Sequence, residues 1–356
     1  MERAASRAID FALSCSARDT PPEAELLASV VSEAAATLAG ECEAGRPRSE
    51  SGLSGGLVRI PDSYVIVVPD IHARPRLLLD LLRSRLRDGA SVAESLASGL
   101  ISIVCLGDIL HSEGQAAALR WTRATDRLIR NRGVEGLMGP EMETEMALSL
   151  STLLEVCFFQ KVFPGRFRCL KGNHDNMGNR STDGDSPFGK YSHEGLMGAE
   201  WFTARYGRRL LGLVREYELL LPLVASGRGF CASHAEPGFA VGMRDLLQYR
   251  SRPALVRALT WTRDGEAEAG SVAASLDALA GAAPAGNRRF WIAGHTALVN
   301  AWSLREDDGF LQIHCPDRNQ VLTIDSGQGS KGLELELFTV DPLRGLLGGV
   351  PISPRY

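Results

Sequence analysis

Short runs of mainly apolar residues, the first of them rich in β-branched side chains, recur along this 356-residue chain, and several of them end in a polar motif. Runs of this kind are typical of strands that are buried on both faces of a sheet. Those at 64–68, 101–106, 167–170, 229–233 and 290–293 are each followed within three residues by Asp, Asn or His. Because ligands gather at the carboxyl ends of the strands in α/β sheets, we expect these side chains to meet at one edge of the fold.

The segments between these strands have helical periodicity early in the chain, and further strands cluster late. Helices are predicted at 77–86, 115–131, 142–162 and 196–219 and over much of 240–282. Further strands are predicted at 300–305, 310–314, 320–325 and 334–340. This order predicts a mixed α/β fold in which sheets pack between helical layers.

The first 62 residues differ in composition from the rest of the chain. Apolar residues over 27–38 have helical spacing, and the next segment, 41–57, is rich in Gly, Ser, Glu and Arg. Such a segment does not easily form a core, which favours a mobile linker. We therefore expect an N-terminal helix and flexible linker at 1–62, a main domain at 63–345 and a tail at 346–356.

Composition excludes several classes of protein. The formal net charge of −4 is a poor match for non-specific binding to nucleic acid, which needs a basic surface. The sequence has no apolar run long enough to span a membrane and no apolar core of a signal peptide. Seven cysteines without a C-x-x-C pair favour reduced thiols. We expect a cytoplasmic protein without a membrane or nucleic-acid partner.

The side chains at the five strand ends are of the chemical types that bind divalent metal ions. Carboxylate, amide and imidazole groups suit Mn, Fe, Zn or Co better than a thiolate site would. Four of the seven histidines belong to this set, and His111 lies just beyond it. His193 and His314 fall elsewhere, and we assign them to structure.

Five segments in order resemble the signature of the calcineurin-like metallophosphoesterases. They read PDIH (69–72), GDIL (107–110), GNHD (172–175), ASH (232–234) and GHT (294–296). The resemblance extends over roughly 64–340 and implies that residues 63–345 are the catalytic domain. It implies a four-layer α-β-β-α sandwich of mixed sheets, with the metal site at the carboxyl ends of the strands.

The resemblance also implies a binuclear metal centre, with manganese as the first candidate and iron, zinc, cobalt or nickel as alternatives. Asp70 and His72 would bind metal 1, and Asp108 would bridge both ions. The ligands implied for metal 2, besides that bridge, are Asn173, His234 and His295. A bridging carboxylate fits two ions about 3.5–4 Å apart.

The mechanism that the resemblance implies is direct hydrolysis. A metal-bridging hydroxide would attack phosphorus, and His174 would protonate the leaving oxygen as general acid. Asp175 would orient the imidazole of His174.

Two further segments place the resemblance within the phosphoprotein-phosphatase branch and its bacterial and phage relatives, which include diadenosine tetraphosphatases. Position 297 is Ala, where many members of the larger family have a second histidine that completes metal 1. Metal 1 would then have fewer protein ligands. LTWTRDG (259–265) resembles the W-x-R segment of the phage-type phosphatases, which implies that Arg263 contacts the phosphate.

The second motif departs from that branch. It reads GDILHSEG (107–114), so that His111 replaces an aspartate and Ser112 replaces a phosphate-binding arginine. The positive charge of that arginine is either missing or supplied by another residue. The candidates, which lie near motifs in the sequence, are Arg74, Arg123 and Lys190. Glu113 and Glu236 also lie beside motifs, but they match no role in the family. The longer segment at 114–165 predicts a helical insertion that could cap the site.

The leading interpretation is a phosphomonoester hydrolase similar to the serine/threonine protein phosphatases. Its substrate would be a phosphoprotein or a small phosphorylated molecule. The first alternative is a pyrophosphohydrolase or phosphodiesterase acting on nucleotides or dinucleoside polyphosphates. An alternative of another class is a metal-binding interaction scaffold without catalysis. Residues 1–62 are a candidate docking arm.

Overall fold

The computed structural model describes residues 2–61, 63–131, 133–281, 288–326 and 333–352. The helices are α1 (Glu2–Ser16), α2 (Ala24–Ala39), α3 (Pro75–Arg83), α4 (Val92–Ala97), α5 (Gln115–Asn131), α6 (Pro140–Val162), α7 (Glu194–Leu220), α8 (Met243–Leu247), α9 (Pro253–Thr260) and α10 (Ser271–Leu279). The strands are β1 (Leu57–Arg59), β2 (Tyr64–Val68), β3 (Ile101–Cys105), β4 (Phe167–Cys169), β5 (Val224–Gly227), β6 (Phe230–Ser233), β7 (Phe290–Ala293), β8 (Ser303–Arg305), β9 (Phe310–Gln312), β10 (Gln320–Asp325), β11 (Glu334–Asp341) and β12 (Gly345–Pro351).

The described strands form two mixed sheets of six strands each. The first has the order β12-β11-β10-β2-β3-β4, and the second has the order β1-β5-β6-β7-β9-β8. Strands β2, β3 and β4 are mutually parallel, and so are β6, β7 and β9. The carboxyl ends of each parallel set therefore lie at one edge of its sheet, and the polar motifs begin there.

Successive side chains along a strand point to opposite faces of its sheet, so each strand contributes to two separate cores. Val65 and Val67 face the second sheet and join a core between the sheets, whereas Ile66 and Val68 face the helices. A third core lies between the second sheet and helices α8–α10. The four-layer α-β-β-α sandwich expected from the sequence is confirmed.

The N-terminal segment corrects the expectation of one helix followed by a flexible linker. Helix α1 packs against α3, α4 and α6, and α2 packs against α6 and α7. Within the expected linker, the side chain of Arg46 is fully buried and donates hydrogen bonds to the carbonyls of Gly55 and Leu220. Strand β1 then pairs in parallel with β5. These residues belong to the body of the fold.

The segments at 114–165 and 346–356 also belong to the packed layers. Helix α6 lies inside the helical core, with Met146, Leu150 and Leu154 fully buried, so it is a central helix rather than a cap. Most of the expected tail is strand β12, which pairs antiparallel with β11, while residues 353–356 lie outside the described residues. The helix predicted at 142–162 is confirmed, and its position in the fold is what differs from the expected cap.

The structure also describes the cysteines and the polarity of the long helices. All seven cysteines are free thiols, and six of them are buried. Among the described helices, none is both long and apolar enough to cross a membrane.

Candidate metal centre

The five motifs meet at the carboxyl edges of the two sheets. Asp70 and His72 follow β2, Asp108 follows β3, and the segment 173–175 follows β4 in the first sheet. The second sheet contributes His234 after β6 and His295 after β7. Each of the six sequence-predicted metal ligands lies within 4 Å of another member of the set.

On the metal 1 side, the imidazole of His72 faces two carboxylates. Its Nε2 lies 3.6 Å from Oδ2 of Asp108 and 3.9 Å from Oδ2 of Asp70. Its Nδ1 lies 2.9 Å from the carbonyl oxygen of His111, to which it donates. That hydrogen bond fixes the tautomer and leaves the lone pair of Nε2 directed at the carboxylates, as in metal-binding histidines.

On the metal 2 side, three acceptor or imidazole atoms converge around His234. Its Nε2 lies 2.9 Å from Oδ1 of Asn173, 3.2 Å from Nδ1 of His295 and 3.5 Å from Oδ2 of Asp108. Its Nδ1 donates to the carbonyl oxygen of Leu106 at 3.0 Å, so Nε2 has a free lone pair.

Asp108 lies between the two groups. Its Oδ2 is within 3.6 Å of Nε2 of both His72 and His234, which is the position of a bridging ligand. Oδ1 of Asp70 and Nε2 of His295 are buried and have no hydrogen-bond partner among the described residues. Lone pairs this close together are stabilised by cations, and the donor set fits divalent metal ions.

Burial dominates the electrostatics of the site. It lowers the pKa of His72 to about 3 and, with help from Arg263, the pKa of His295 to about 4, so both imidazoles are neutral ligands at pH 7. It raises the pKa of Asp70 to about 6. Burial and then the neighbouring carboxylates raise the pKa of Asp108 well above its usual range. Clustered buried carboxylates of this kind are stabilised by bound cations.

The backbone at the site is strained. His72, Asp108 and His295 have φ values of 46°, 50° and 61°, in the left-handed region that non-glycine residues rarely adopt. Two motif glycines permit this close packing. A Cβ atom on Gly172 would lie 2.1 Å from Oδ1 of Asp108, and one on Gly294 would lie 1.9 Å from Oδ1 of Asp70.

The imidazole of His174 forms part of the lining of the cleft beside the cluster. It stacks on Phe188 with ring centroids 4.1 Å apart, and its Nε2 lies 4.0 Å from Oδ2 of Asp108. Asp175 does not orient this ring. Its carboxylate instead accepts hydrogen bonds at 2.8–2.9 Å from the backbone amides of Asp108, Ile109 and Gly172. Asp175 therefore joins the second motif to the third, and this corrects its expected role.

A cleft of about 480 Å³ opens over the cluster. Arg263, Lys190 and Trp261 line it together with His174. Of the three cations considered for the missing arginine, Lys190 is the one in this cleft. Arg74 is instead bound to the carbonyls of residues 70 and 71, and Arg123 lines a separate pocket on α5.

Two residues of the site were not predicted. Oε1 of Glu113 lies 3.2 Å from Nε2 of His72, and its Oε2 lies 3.1 Å from Nε2 of His314. Nε2 of His314 is also 3.7 Å from Oδ2 of Asp70. His314 follows β9, which ends at Gln312; the strand predicted at 310–314 included this histidine, so the rule that placed the other ligands after strands did not reach it. Glu236 forms an ion pair with Arg305.

The two replaced residues of the second motif have different surroundings. The ring of His111 is buried between Phe188 and Trp121, and neither nitrogen has a partner in the described parts of the chain. Burial lowers the pKa of His111 to about 4. Ser112 hydrogen-bonds to Glu145. His193, assigned to structure, is exposed at the start of α7.

Comparison with known proteins identifies a fold. No family model matches the chain, and no curated protein matches it. A solved serine/threonine phosphatase from Saccharomyces cerevisiae, with similarity to human phosphatase PP5, is 12% identical and has a TM-score of 0.54. The match covers 89% of this chain and 90% of the yeast chain.

Two further structures are similar at lower scores. A cold-active protein-tyrosine phosphatase from a psychrophilic Shewanella species is 14% identical, with a TM-score of 0.44 and 82% of each chain covered. A protein provisionally identified as a diadenosine tetraphosphatase is 13% identical, with a TM-score of 0.35, covering 83% of this chain and 98% of its own. The likeness to the yeast structure confirms the fold expected from the resemblance to calcineurin-like metallophosphoesterases.

Proposed function

We propose that the chain is a metal-dependent hydrolase of phosphoric esters that cleaves phosphomonoesters at a binuclear centre. One observation carries the proposal. Two groups of buried ligand atoms share the carboxylate of Asp108 at the floor of a cleft that also holds Arg263 and Lys190. The remaining ligands that we assign are Asp70 and His72 for metal 1 and Asn173, His234 and His295 for metal 2.

The ligand set favours manganese, with iron, zinc, cobalt and nickel as alternatives, because carboxylate, amide and imidazole donors suit all of these ions. Bound divalent ions would supply an activated water at neutral pH and neutralise charge on the phosphate oxygens. The hydrogen bonds from His72 to the carbonyl of residue 111 and from His234 to that of Leu106 hold the ligating nitrogens in place.

His174 is the residue that we assign as general acid. Its ring lies at the cleft wall with Nε2 4.0 Å from Oδ2 of Asp108, and the stacking on Phe188 fixes its plane. From there it would donate a proton to the leaving oxygen of the ester, and the negative charge of the bound ester would have to offset the burial that lowers the pKa of His174 well below its usual range. Asp175 acts indirectly. Its carboxylate accepts a hydrogen bond from the backbone amide of Asp108 and so positions the bridging carboxylate.

Arg263 and Lys190 are the groups that we assign to phosphate binding. Both line the cleft. Arg263 is exposed, and the ammonium of Lys190 contacts the carboxylate of Glu113 at the cleft wall, where a bound ester would compete for it. Charge-assisted hydrogen bonds from a guanidinium or an ammonium to phosphate oxygens are strong. Lys190 would then supply the positive charge of the phosphate-binding arginine that Ser112 replaces. Two side-chain cations beside two metal ions match a dianionic terminal phosphate, and this favours monoesters.

A second candidate is hydrolysis of nucleotides or dinucleoside polyphosphates. Trp261 favours it, because this half-buried indole lines the cleft next to Arg263 and offers a face on which a base could stack. The substrate of the binuclear site would then be a phosphoanhydride or diester rather than a simple monoester.

The test uses protein stripped of metal by chelation. We would assay p-nitrophenyl phosphate and bis-p-nitrophenyl phosphate after adding back Mn, Co, Ni, Zn, Fe or Mg, with Asp108→Asn as the inactive control. We expect metal-dependent release from the monoester. A preference for the diester would support the second candidate. Absence of turnover on both probes and on nucleotide and phosphopeptide panels, from protein that binds two ions, would favour the non-catalytic scaffold.

A further inference from the structure

We propose that metal 1 has two ligands from outside the five motifs, His314 and Glu113. The inference rests on the binuclear centre of the proposed function and goes beyond it, because it enlarges the ligand set of one ion. On the motifs alone, metal 1 is the ion with few protein ligands. The structure supplies an imidazole and a carboxylate at that position instead.

His314 arrives at the site from a sixth strand end. Strand β9 runs parallel to β7, so the residues that follow β9 reach the same edge as His295, which follows β7. The side chain of His314 is fully buried. Its Nε2 lies 3.7 Å from Oδ2 of Asp70, and its ring centroid lies 5.5 Å from that of His72. His314, Asp70 and His72 therefore form one convergent group of donors.

Glu113 closes this group from the opposite side. Its carboxylate lies between the two imidazoles, with Oε1 3.2 Å from Nε2 of His72 and Oε2 3.1 Å from Nε2 of His314. The Nε2 of His72 carries a lone pair, because Nδ1 of that ring donates to a backbone carbonyl. Repulsion between that lone pair and the carboxylate is offset in this structure by the ammonium of Lys190, which contacts Oε1 of Glu113, and a divalent ion between the two donors would offset it more strongly.

The distances fit a single coordination sphere. Metal–ligand bonds of about 2.1 Å in an octahedron put neighbouring donors about 3.0 Å apart. The donor pairs around His72 and His314 are 3.1 to 3.9 Å apart, which a bound ion would tighten slightly. The five donors are two imidazole nitrogens and three carboxylate oxygens, from Asp70, His72, Asp108, Glu113 and His314. An octahedral ion held by all five donors would have one position for water.

The two metal positions differ in their ligands, and this difference affects metal exchange. Metal 1 would have five protein ligands, three of them anionic, whereas metal 2 has one carboxylate, one amide and two imidazoles. Anionic ligand count and site closure raise affinity for divalent ions. We therefore expect the stripped protein to fill in two steps, with metal 1 bound first and retained longer against a chelator.

The test compares the full chain with the variants His314→Gln and Glu113→Gln. His193→Gln is the matched control, because that histidine is exposed at the start of α7. Metal-stripped proteins are titrated with Mn²⁺ by calorimetry, and bound metal is counted by elemental analysis after dialysis. Absorption spectra with Co²⁺ report the coordination number. Circular dichroism and melting without metal verify folding, and Glu113→Gln carries the test if His314→Gln does not fold.

We expect each variant to weaken the tighter of the two sites by at least about tenfold and to leave the weaker one unchanged. Co²⁺ absorption should strengthen because metal 1 loses a ligand, and His193→Gln should match the unaltered protein in every readout. Two ions bound with unaltered affinity and unaltered Co²⁺ spectra in both variants would overturn the added ligands while leaving the centre intact. Failure of the unaltered chain to bind any metal would instead overturn the proposed function.

Discussion

Substitution of one glycine gives a quantitative test of how the centre is assembled. Gly172 precedes Asn173, and a Cβ atom there would lie 2.1 Å from Oδ1 and 2.4 Å from the backbone nitrogen of Asp108. Real Cβ contacts are essentially never below 3.0 Å. In Gly172→Ala, the third motif and the bridging carboxylate must therefore separate by about 1 Å, beyond the tolerance of about 0.2 Å for metal–ligand distances.

The expected loss is large. Misplacement of a catalytic group by about 1 Å costs roughly a hundredfold in rate, or about 2.7 kcal/mol of transition-state stabilisation. Metal affinity should fall as well, because Asp108 and Asn173 are displaced together. The shift also stretches the hydrogen bond that the amide of Gly172 donates to Oδ2 of Asp175, now 2.8 Å long, so the melting temperature should decrease.

The control is Gly212→Ala in helix α7, where a Cβ atom would meet nothing within 4 Å. Alanine in the interior of a helix is more favourable than glycine by about 0.5–1 kcal/mol, so this variant should be slightly more stable and fully active. The assays are elemental analysis of bound metal, kcat/KM on p-nitrophenyl phosphate and thermal melting. A Gly172→Ala protein that keeps two ions and full kcat/KM would refute the reasoning.

Four further predictions concern the general acid, the phosphate-binding cations, a buried carboxyl and the N-terminal helix. His174→Asn should keep both ions and lower kcat by roughly 10²–10⁴-fold, and elemental analysis showing lost metal would contradict its assignment as general acid. Arg263→Ala and Lys190→Ala should each lower kcat/KM on phosphomonoesters by at least about tenfold, and unchanged kinetics would remove them from phosphate binding. Burial raises the pKa of Glu218 from 4.5 to about 8, so the stability that this protonated carboxyl contributes is present below about pH 4.5 and is lost as the pH rises to 8. Urea unfolding of Glu218→Gln should show a flatter profile between about pH 5 and 8. Deletion of residues 2–16 should lower the free energy of unfolding by at least about 3 kcal/mol, because α1 buries four small side chains in the helical core, and an unchanged unfolding curve would show the helix to be an appendage.

The sequence was most informative at the strand ends. Each apolar run was short, so its end was well defined, and the polar residue after it was expected at the carboxyl edge of its sheet. His72, Asp108 and His234 were placed in this way, and the structure brings both imidazoles within 3.6 Å of the carboxylate of Asp108. A short apolar run bounded by polar turns carries this information locally.

Contacts between distant segments could not be derived in the same way. Glu113 reaches His72 because the chain turns through a positive φ of 64° at His111, and no local pattern specifies such a turn for a histidine. The carboxylate of Asp175 could equally have faced the ring of its neighbour. Its hydrogen bonds to amides as far as 67 residues away became visible only in the folded chain.

The N-terminal segment shows a different limit. Helix α1 buries Ala5, Ala8, Ala12 and Cys15, and small side chains of this kind give little hydropathic contrast. The segment 41–57 has the composition of a linker, yet the guanidinium of Arg46 anchors it to the carbonyls of residues 55 and 220. Composition describes only the average of a segment. One buried arginine with hydrogen-bond partners can anchor a segment whose average composition is that of a linker.

The central claim is that hydrolysis occurs at two ions bridged by Asp108, and a paired titration tests it most directly. Metal-stripped protein is titrated with Mn²⁺ while bound metal and turnover of p-nitrophenyl phosphate are measured on the same samples. We expect saturation at two ions per chain, turnover that appears as the second ion binds, and loss of both in Asp108→Asn. Turnover that is independent of added metal, or saturation below two ions, would contradict it.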